Sequence, residues 1–446
     1  MPEINSGDTA WLLTSSALVL LMTPGLAFFY GGLVRSKAVL NMLMMNFVTI
    51  GVVSIMWTLY GFSAAFGNSY GGAGLLGNLG DYAGLSGKSA TTLSGTLPVL
   101  VFAAFQLMFA IITPALASGA IAERARFGSW ILWVILWTSL CYFPVAHWVF
   151  AFSSADGSYT GGWIANRLLA EDFAGGTAVH INAGAAGLAL ALVLGKRIGF
   201  KRDVMRPHNV PFVLLGAGLL WFGWFGFNAG SALASGQLAG IAFYNTQVAT
   251  AAALVAWIAV ERLRGGHATA VGAASGAVAG LVAITPACAF VDPGGAIIIG
   301  LAAGALCALA IGLKYRLGFD DALDVVGVHL VGGMVGTLLI GLLGTASLND
   351  TAQTGLFYGG GLKLLGRQAV AAFAVAIFSF LVSYIVAKII GVTMGFRIPD
   401  EDEVSGIDVA SHAESGYDLT PGFGGTRAVG SGSPVGAHST PVPEGV

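Results

Sequence analysis

Two stretches of this chain set an acid and a histidine eight residues apart. Asp172 to His180 reads Asp-Phe-Ala-Gly-Gly-Thr-Ala-Val-His, and Asp321 to His329 reads Asp-Ala-Leu-Asp-Val-Val-Gly-Val-His. In both, the acid stands at the mouth of an apolar run and Val precedes the histidine. At about 1.5 Å per helical residue the imidazole lies about 12 Å inward, near the middle of a hydrocarbon layer about 30 Å thick. An ionisable group at that depth is costly and marks function. Neutral imidazole carries one N–H donor and one lone pair. Two facing rings can therefore share a proton, present polar edges to a small neutral solute, and accept a proton near neutral pH. A lone buried histidine is more often a satisfied packing residue, whereas two at matching depth favour a working pair. Metal binding is poorly supported, since neither histidine has a cysteine or carboxylate at ligand spacing. Each acid lies about 80° round the helix from its histidine, too far to touch it. Capping of the helix entrance is the expected role of Asp172, with long-range attraction of a cation as the alternative.

Such residues need a bundle of membrane helices to hold them. Of 446 residues, 56% are hydrophobic and only 9% charged, too few charges to cover a soluble globule of this size. The mean hydropathy is +0.81, as expected of a polytopic membrane protein. The 66 glycines suit helices that pack closely in lipid. A net charge of −2 with no basic cluster gives no indication of nucleic-acid binding. Cys141, Cys288 and Cys307 lie inside or at the ends of apolar runs, so structural disulfides are not expected. The stretch Met1 to Asp8 lacks the basic start of a signal peptide, and the first apolar run reads as a retained helix.

Eleven apolar runs are long enough to span, at roughly 9–33, 39–66, 98–121, 128–152, 174–194, 210–232, 239–260, 268–288, 294–313, 325–344 and 366–394. Loops after odd-numbered runs carry Arg35, Lys37, Arg124, Arg126, Lys196, Arg197, Lys201, Arg202, Arg206, Arg262, Arg264, Lys314 and Arg316, thirteen in all. Loops after even-numbered runs carry Lys88, Arg167, Lys363 and Arg367, four in all. That imbalance predicts the N-terminus outside and the C-terminus inside. Asp172 then sits at the outer end of the fifth run and Asp321 at the inner end of the tenth, so the two histidines approach a common depth from opposite faces. Runs 1–5 and 6–10 read as an inverted repeat with an eleventh helix added. Ile112-Thr113-Pro114-Ala115 and Ile284-Thr285-Pro286-Ala287 form a second, weaker echo. The expected organisation is an all-α membrane domain over 1–394, a cytoplasmic tail over 395–421 opened by Asp400-Glu401-Asp402-Glu403, and a Gly, Ser and Pro-rich extension over 422–446 expected to be disordered.

On this topology several aromatic side chains share a depth just outside the histidines. Phe105 and Phe109 lie one turn apart, Phe150 sits near the outer end of the fourth run, and Phe227 and Ser231 lie one turn apart in the sixth. Any one of 27 phenylalanines is ordinarily a core or lipid-facing residue, but together these suggest a vestibule. Aromatic faces attract a partly dehydrated cation by about 0.5 to 2 kcal/mol each, and a serine oxygen accepts a hydrogen bond. They cannot carry an ion onward, because an isolated charge in a low dielectric costs tens of kcal/mol. A cation that can drop its proton escapes that cost, since burial lowers the pKa of an ammonium-type group. Potassium has no proton to lose.

At these residues the chain closely resembles the ammonium transporter family, the Amt/MEP/Rh group. The resemblance runs from about Trp11 to about Tyr417. It rests on Pro24-Gly25-Leu26-Ala27-Phe28-Phe29-Tyr30-Gly31-Gly32, on Ala122-Glu123-Arg124, on Asp172 through His180 to Ile181-Asn182-Ala183, on Gly223-Trp224-Phe225-Gly226-Phe227-Asn228-Ala229-Gly230-Ser231, on Thr285-Pro286-Ala287-Cys288 and on Gly327-Val328-His329. It implies an eleven-helix protomer in a homotrimer with one narrow pore per protomer, in the plasma membrane. Carried over by position, Phe105, Phe150 and Ser231 form the outer recruitment site, Phe109 and Phe227 the gate, and His180 and His329 the pore pair. Asp172 matches an aspartate needed for transport, with Trp224 and Thr285 as supporting residues. No catalytic residue, metal or cofactor is implied. Bacterial members usually place Trp where this chain has Phe150, a weaker cation–π partner, and Trp148 is two positions off. The segment Ile407 to Tyr417 resembles the family's regulatory C-terminus, implying docking by a PII-type nitrogen regulator.

The reading is transport of ammonium or ammonia, not enzymatic catalysis. The rival is an ammonium sensor that binds its ligand and conducts little. A membrane enzyme using the paired histidines is a distant third, for want of a nucleophile or metal cluster beside them.

Overall fold

The computed structural model describes residues 3–87, 92–203 and 205–417; the expected extension 422–446 and the last positions of the expected tail lie outside the described residues. Along the chain run α1 (Ser6–Leu33), α2 (Ser36–Phe66), α3 (Val99–Ile121), α4 (Phe127–Phe150), α5 (Gly176–Leu194), α6 (Val210–Gly230), α7 (Gln237–Leu263), α8 (Ala270–Ile284), α9 (Pro293–Leu317), α10 (Val326–Leu343) and α11 (Lys363–Thr393). Ten of these, all but α8, are long and apolar enough to cross a membrane. The 15 residues of α8 cover about 22 Å, short of a full hydrocarbon layer. Residues 285–290 continue as turns, entered at Pro286, which has no N–H to extend a helix.

The helix starts follow from side chains that accept otherwise unpaired N–H groups. Asn5 caps α1, Asn209 caps α6 with proline just inside it, Thr269 caps α8, and Asp292 caps α9 ahead of Pro293. Four helices contain a wide π turn: Trp57–Gly61 in α2, Thr138–Tyr142 in α4, Gly176–Ile181 in α5 and Val326–Leu330 in α10. Such turns are rare and concentrate at functional sites. Two of the four hold His180 and His329.

Small residues let the helices close up, as at the crossing of α1 and α6, where a Cβ on Gly216 would fall 2.2 Å from the backbone nitrogen of Phe29. The outside of the bundle is apolar. On α11, Phe373, Ile377, Leu381, Ile385 and Ile389 recur every four residues and each is more than half exposed. Water would penalise that stripe, whereas lipid or a second subunit would not.

At the end of the bundle away from Asp172, buried charge ties loops together. Arg124 is fully buried and donates to the carbonyls of Ala120, Ala122, Gly195 and Asp320. Arg197 donates from Nε and Nη2 to the Asp320 carboxylate, each at 2.9 Å, and lies 3.4 Å from Glu123. Burial works against ionisation of Glu123, but Arg197 and Arg35 outweigh it and hold the carboxyl below its usual range. The acidic segment packs on this end through α12 (Asp400–Ser405) and α13 (Ile407–His412). Glu403 pairs with Arg397 at 2.7 Å and accepts the Ile198 N–H at 2.6 Å. Asp408 accepts the N–H groups of Leu40 and Asn41 at 2.9 and 2.8 Å, capping the second helix from outside it.

Hydrogen bonds to a charged acceptor contribute about 1.5 to 3 kcal/mol each. Asp408→Ala is therefore expected to release residues 395–416 while the bundle stays folded. Limited proteolysis in detergent should cut the variant in that segment at least tenfold faster, and an unchanged cleavage rate would contradict the docking. His147, in the last turns of α4, is fully buried, with Nδ1 2.9 Å from the Ala65 carbonyl. The last turns of α4 pack on the last turn of α2 and supply that partner.

Candidate functional site

His180 and His329 meet in the middle of the bundle. Their Nδ1 atoms are 3.3 Å apart, their ring centroids 5.4 Å apart, and the rings lie within 16° of parallel. Both are buried, at 1% and 2% exposure. A hydrogen bond between two Nδ1 atoms requires one to donate and the other to accept. In the neutral pair the donor ring then keeps a lone pair at Nε2 and the acceptor ring keeps an N–H there. The pair so offers one acceptor and one donor in apolar surroundings. Nε2 of His180 has no hydrogen-bond partner among the described residues.

Local sequence explains how the rings arrive. The Asp172 carboxylate receives five donors: the N–H groups of Gly175, Gly176, Thr177 and Ala178, at 2.8, 2.7, 2.8 and 3.3 Å, and the Thr177 hydroxyl. It therefore caps α5 from four residues before the helix begins. Asp321 does the same for α10, accepting from Val325 and Val326 at 3.0 and 2.7 Å. A second feature is equally doubled: a glycine follows each histidine by four residues. A Cβ on Gly184 would fall 2.4 Å from the Leu330 nitrogen, and one on Gly333 would fall 2.9 Å from the Ile181 side chain and 3.1 Å from the Gly176 carbonyl oxygen. Each helix needs the other's glycine to come close enough for the rings to touch.

An aromatic ladder leads away from the pair. Trp224 stacks on His180 at 5.3 Å and 18°, and its Nε1 donates to Thr285 Oγ1 at 2.8 Å. Thr285 passes its own hydrogen to the Leu281 carbonyl at 2.7 Å, which leaves its oxygen free to accept. Phe227 lies 6.0 Å from His180 and 4.2 Å from Phe109, and Phe109 in turn lines a cavity of 720 Å³. That cavity is lined by Phe109, Phe150, Ser231, Asp172 and, among others, Gln106, Tyr159 and Glu171. Ser231 donates to the Phe227 carbonyl at 2.8 Å, so its oxygen faces a solute as an acceptor.

His329, His180, Trp224, Thr285, Phe227 and Phe109 form one chain of contacts, and the cavity beside Phe109 takes in some of the other expected residues. Phe150 and Ser231 line the cavity. Phe105 does not; it is fully buried behind Phe109, with ring centroids 4.9 Å apart. Trp148 turns away, donating to the Leu75 carbonyl and packing at a tilt against Phe378. Glu171, not singled out from the sequence, lines the cavity beside Asp172; two adjacent acids before an apolar run were the available signal. Among the described residues no group of three or more His, Cys, Asp or Glu is arranged to hold a metal ion.

Comparison with known proteins is consistent from end to end. A family model described as Ammonium Transporter Family matches residues 10–417. The ammonium transporter of Mycobacterium tuberculosis strain H37Rv is 58% identical over 441 residues, covering 94% of this chain and 92% of that protein. The crystal structure of Saccharomyces cerevisiae Mep2 superposes with a TM-score of 0.82 at 33% identity, covering 90% of this chain and 89% of that one. A structure titled Sensor Amt Protein gives 0.82 at 31% identity, covering 91% and 98%.

Proposed function

The chain belongs to the ammonium transporter family, a multi-pass membrane protein by its spans, and from that premise we propose that it carries ammonium nitrogen across the plasma membrane as ammonia. Ammonium is recruited in the cavity by the Phe150 ring and the Ser231 oxygen, with Phe105 backing Phe109. It loses its proton there, and ammonia slips between Phe109 and Phe227 to the histidine pair. The observation that carries this reading is the 3.3 Å contact between two buried imidazoles, one of them stacked against aromatic rings. A donor and an acceptor at that point suit a neutral hydride of nitrogen, while a bare cation faces a desolvation cost of tens of kcal/mol. Whether the proton follows through the pair is decided by currents on a solid-supported membrane after an ammonium jump.

In the same reading the protomer has eleven spans, with α1–α5 and α6–α10 as an inverted repeat and α11 added. The distribution of basic residues supports an N-terminus outside and a C-terminus in the cytoplasm. The apolar outer stripes suit lipid and the neighbours of a homotrimer. The docked segment 395–416 offers a surface for a PII-type regulator at the cytoplasmic face.

Growth of a transporter-less cell on low ammonium tests the function, with His329→Ala as control. Rescue by the native chain and loss with the variant are expected; absence of rescue by correctly inserted protein would contradict transport. The sensor reading predicts ligand binding with little flux, so flux in proteoliposomes set against binding separates the two. Thr285→Val should strand the buried Trp224 N–H at a cost of about 1 to 3 kcal/mol and loosen the ring stacked on His180. Uptake is expected to fall about tenfold with no potassium leak; unchanged uptake would show that the indole needs no anchor.

A further inference from the structure

The transport reading leaves open which group receives the proton that ammonium sheds. We infer that Glu171 is that group: its carboxylate is the base of the outer cavity. The inference rests on the transport reading and assigns one of its steps.

The titratable side chains lining the cavity are Tyr82, Tyr159, Glu171 and Asp172. Burial pushes both tyrosines up, so they stay protonated and cannot serve as a base at neutral pH. Asp172 is already occupied, its two oxygens taken by five donors that hold α5 in place. Glu171 differs from its neighbour. It is only 7% exposed, its Oε1 accepts the Gln353 N–H at 2.6 Å, and its Oε2 has no partner among the described residues. A buried carboxylate oxygen left without a donor is a costly arrangement in a folded chain unless it takes up a proton or a cation.

The residue is also held firmly. Gln368 of α11 accepts the Glu171 N–H and donates to its carbonyl, both at 2.7 Å. One cationic side chain acts on it. Arg367 attracts the carboxylate while donating to the Gln353 side chain, and Arg167 is turned to the Gly72 carbonyl. Burial raises the Glu171 carboxyl, the Gln353 bonds and Arg367 pull it back, and it comes to rest at about 7. A base works best with a pKa near the operating pH.

The step balances simply. An N–H bond of ammonium breaks, its electron pair stays on nitrogen, and an O–H bond forms on the Glu171 carboxylate. The proton is then handed to water in the cavity before the next cation arrives. Because the carboxylate is ionised above about pH 7 and protonated below it, the step is available at high pH and lost as pH falls through that value.

The test is uptake of methylammonium, cationic throughout, from about pH 5.5 to about pH 8.5 outside, in cells expressing the full chain. The native protein should lose about tenfold in rate per pH unit below a midpoint near neutrality. Glu171→Gln, which keeps the Gln353 acceptor, should be slow and flat with pH, and Glu171→Asp should keep a pH dependence with a displaced midpoint. A Glu171→Gln variant with the native rate and midpoint overturns the inference. If that variant does not reach the membrane, the aspartate variant decides, and an unmoved midpoint overturns it. No uptake by the native protein at any pH would instead defeat the transport reading itself.

Discussion

His180→Ala is expected to cut ammonium uptake by about ten- to a hundredfold and to let potassium through where the native protein admits none. Removing the ring leaves His329 Nδ1 without its partner at 3.3 Å, in surroundings with no other described partner for it. An unsatisfied polar group in such a place costs about 1 to 3 kcal/mol, which is about ten- to a hundredfold in rate if the pair is used in the rate-limiting passage. The same deletion removes the face on which Trp224 and Phe227 pack. The resulting space beside the pair can hold water, and water lowers the cost of a bare ion. Labelled ammonium uptake and potassium flux measured on one preparation check both halves. Selective uptake at the native rate would mean that the pair is a packing contact.

Asp172→Ala should be the most damaging single change to the fold around the site. Five donors lose their acceptor, four of them backbone groups at the start of α5. Loss of an N-cap alone costs about 0.5 to 2 kcal/mol, and each buried donor left unpaired adds about 1 to 3 kcal/mol. Even with partial relaxation the sum is a large part of ordinary domain stability. The expected result is protein that fails to accumulate, or that melts at least 10 °C lower in detergent by an order-of-magnitude reckoning. Asp172→Asn keeps one accepting oxygen and should lie between. If Asp172 acted only as a distant attraction for cations, the asparagine variant would lose uptake while its melting temperature stayed put. A parallel loss of both is the expected outcome.

Much of the architecture is legible before any coordinates, because period and hydropathy dominate in a membrane chain. The apolar runs expected at 9–33 and 366–394 appear as Ser6–Leu33 and Lys363–Thr393, with ends displaced by caps and by amphipathic first turns. The run at 268–288 is shortened to Ala270–Ile284, since Pro286 opens a turn that hydropathy alone does not register. The acid-to-histidine spacing is readable as capping plus depth, and both carboxylates cap. What the spacing does not reveal is the close approach. Gly184 and Gly333 are two among 66 glycines, and their importance depends on the partner helix. The wide turns under both histidines are likewise invisible in a 3.6-residue period. Glu171 escapes notice for a similar reason: its partners Gln353 and Gln368 lie about two hundred residues away along the chain. The burial of His147 is hidden in the same way, since it depends on the end of α2.

The central claim is that the passage admits ammonia and stalls ions at the paired imidazoles. Purified protein in proteoliposomes, given equal inward gradients of ammonium and of potassium in turn, tests it most directly. Ammonium should enter at a protein-dependent rate while potassium entry stays at the level of empty vesicles. Potassium entering at a comparable rate, or ammonium binding without entry, would contradict it.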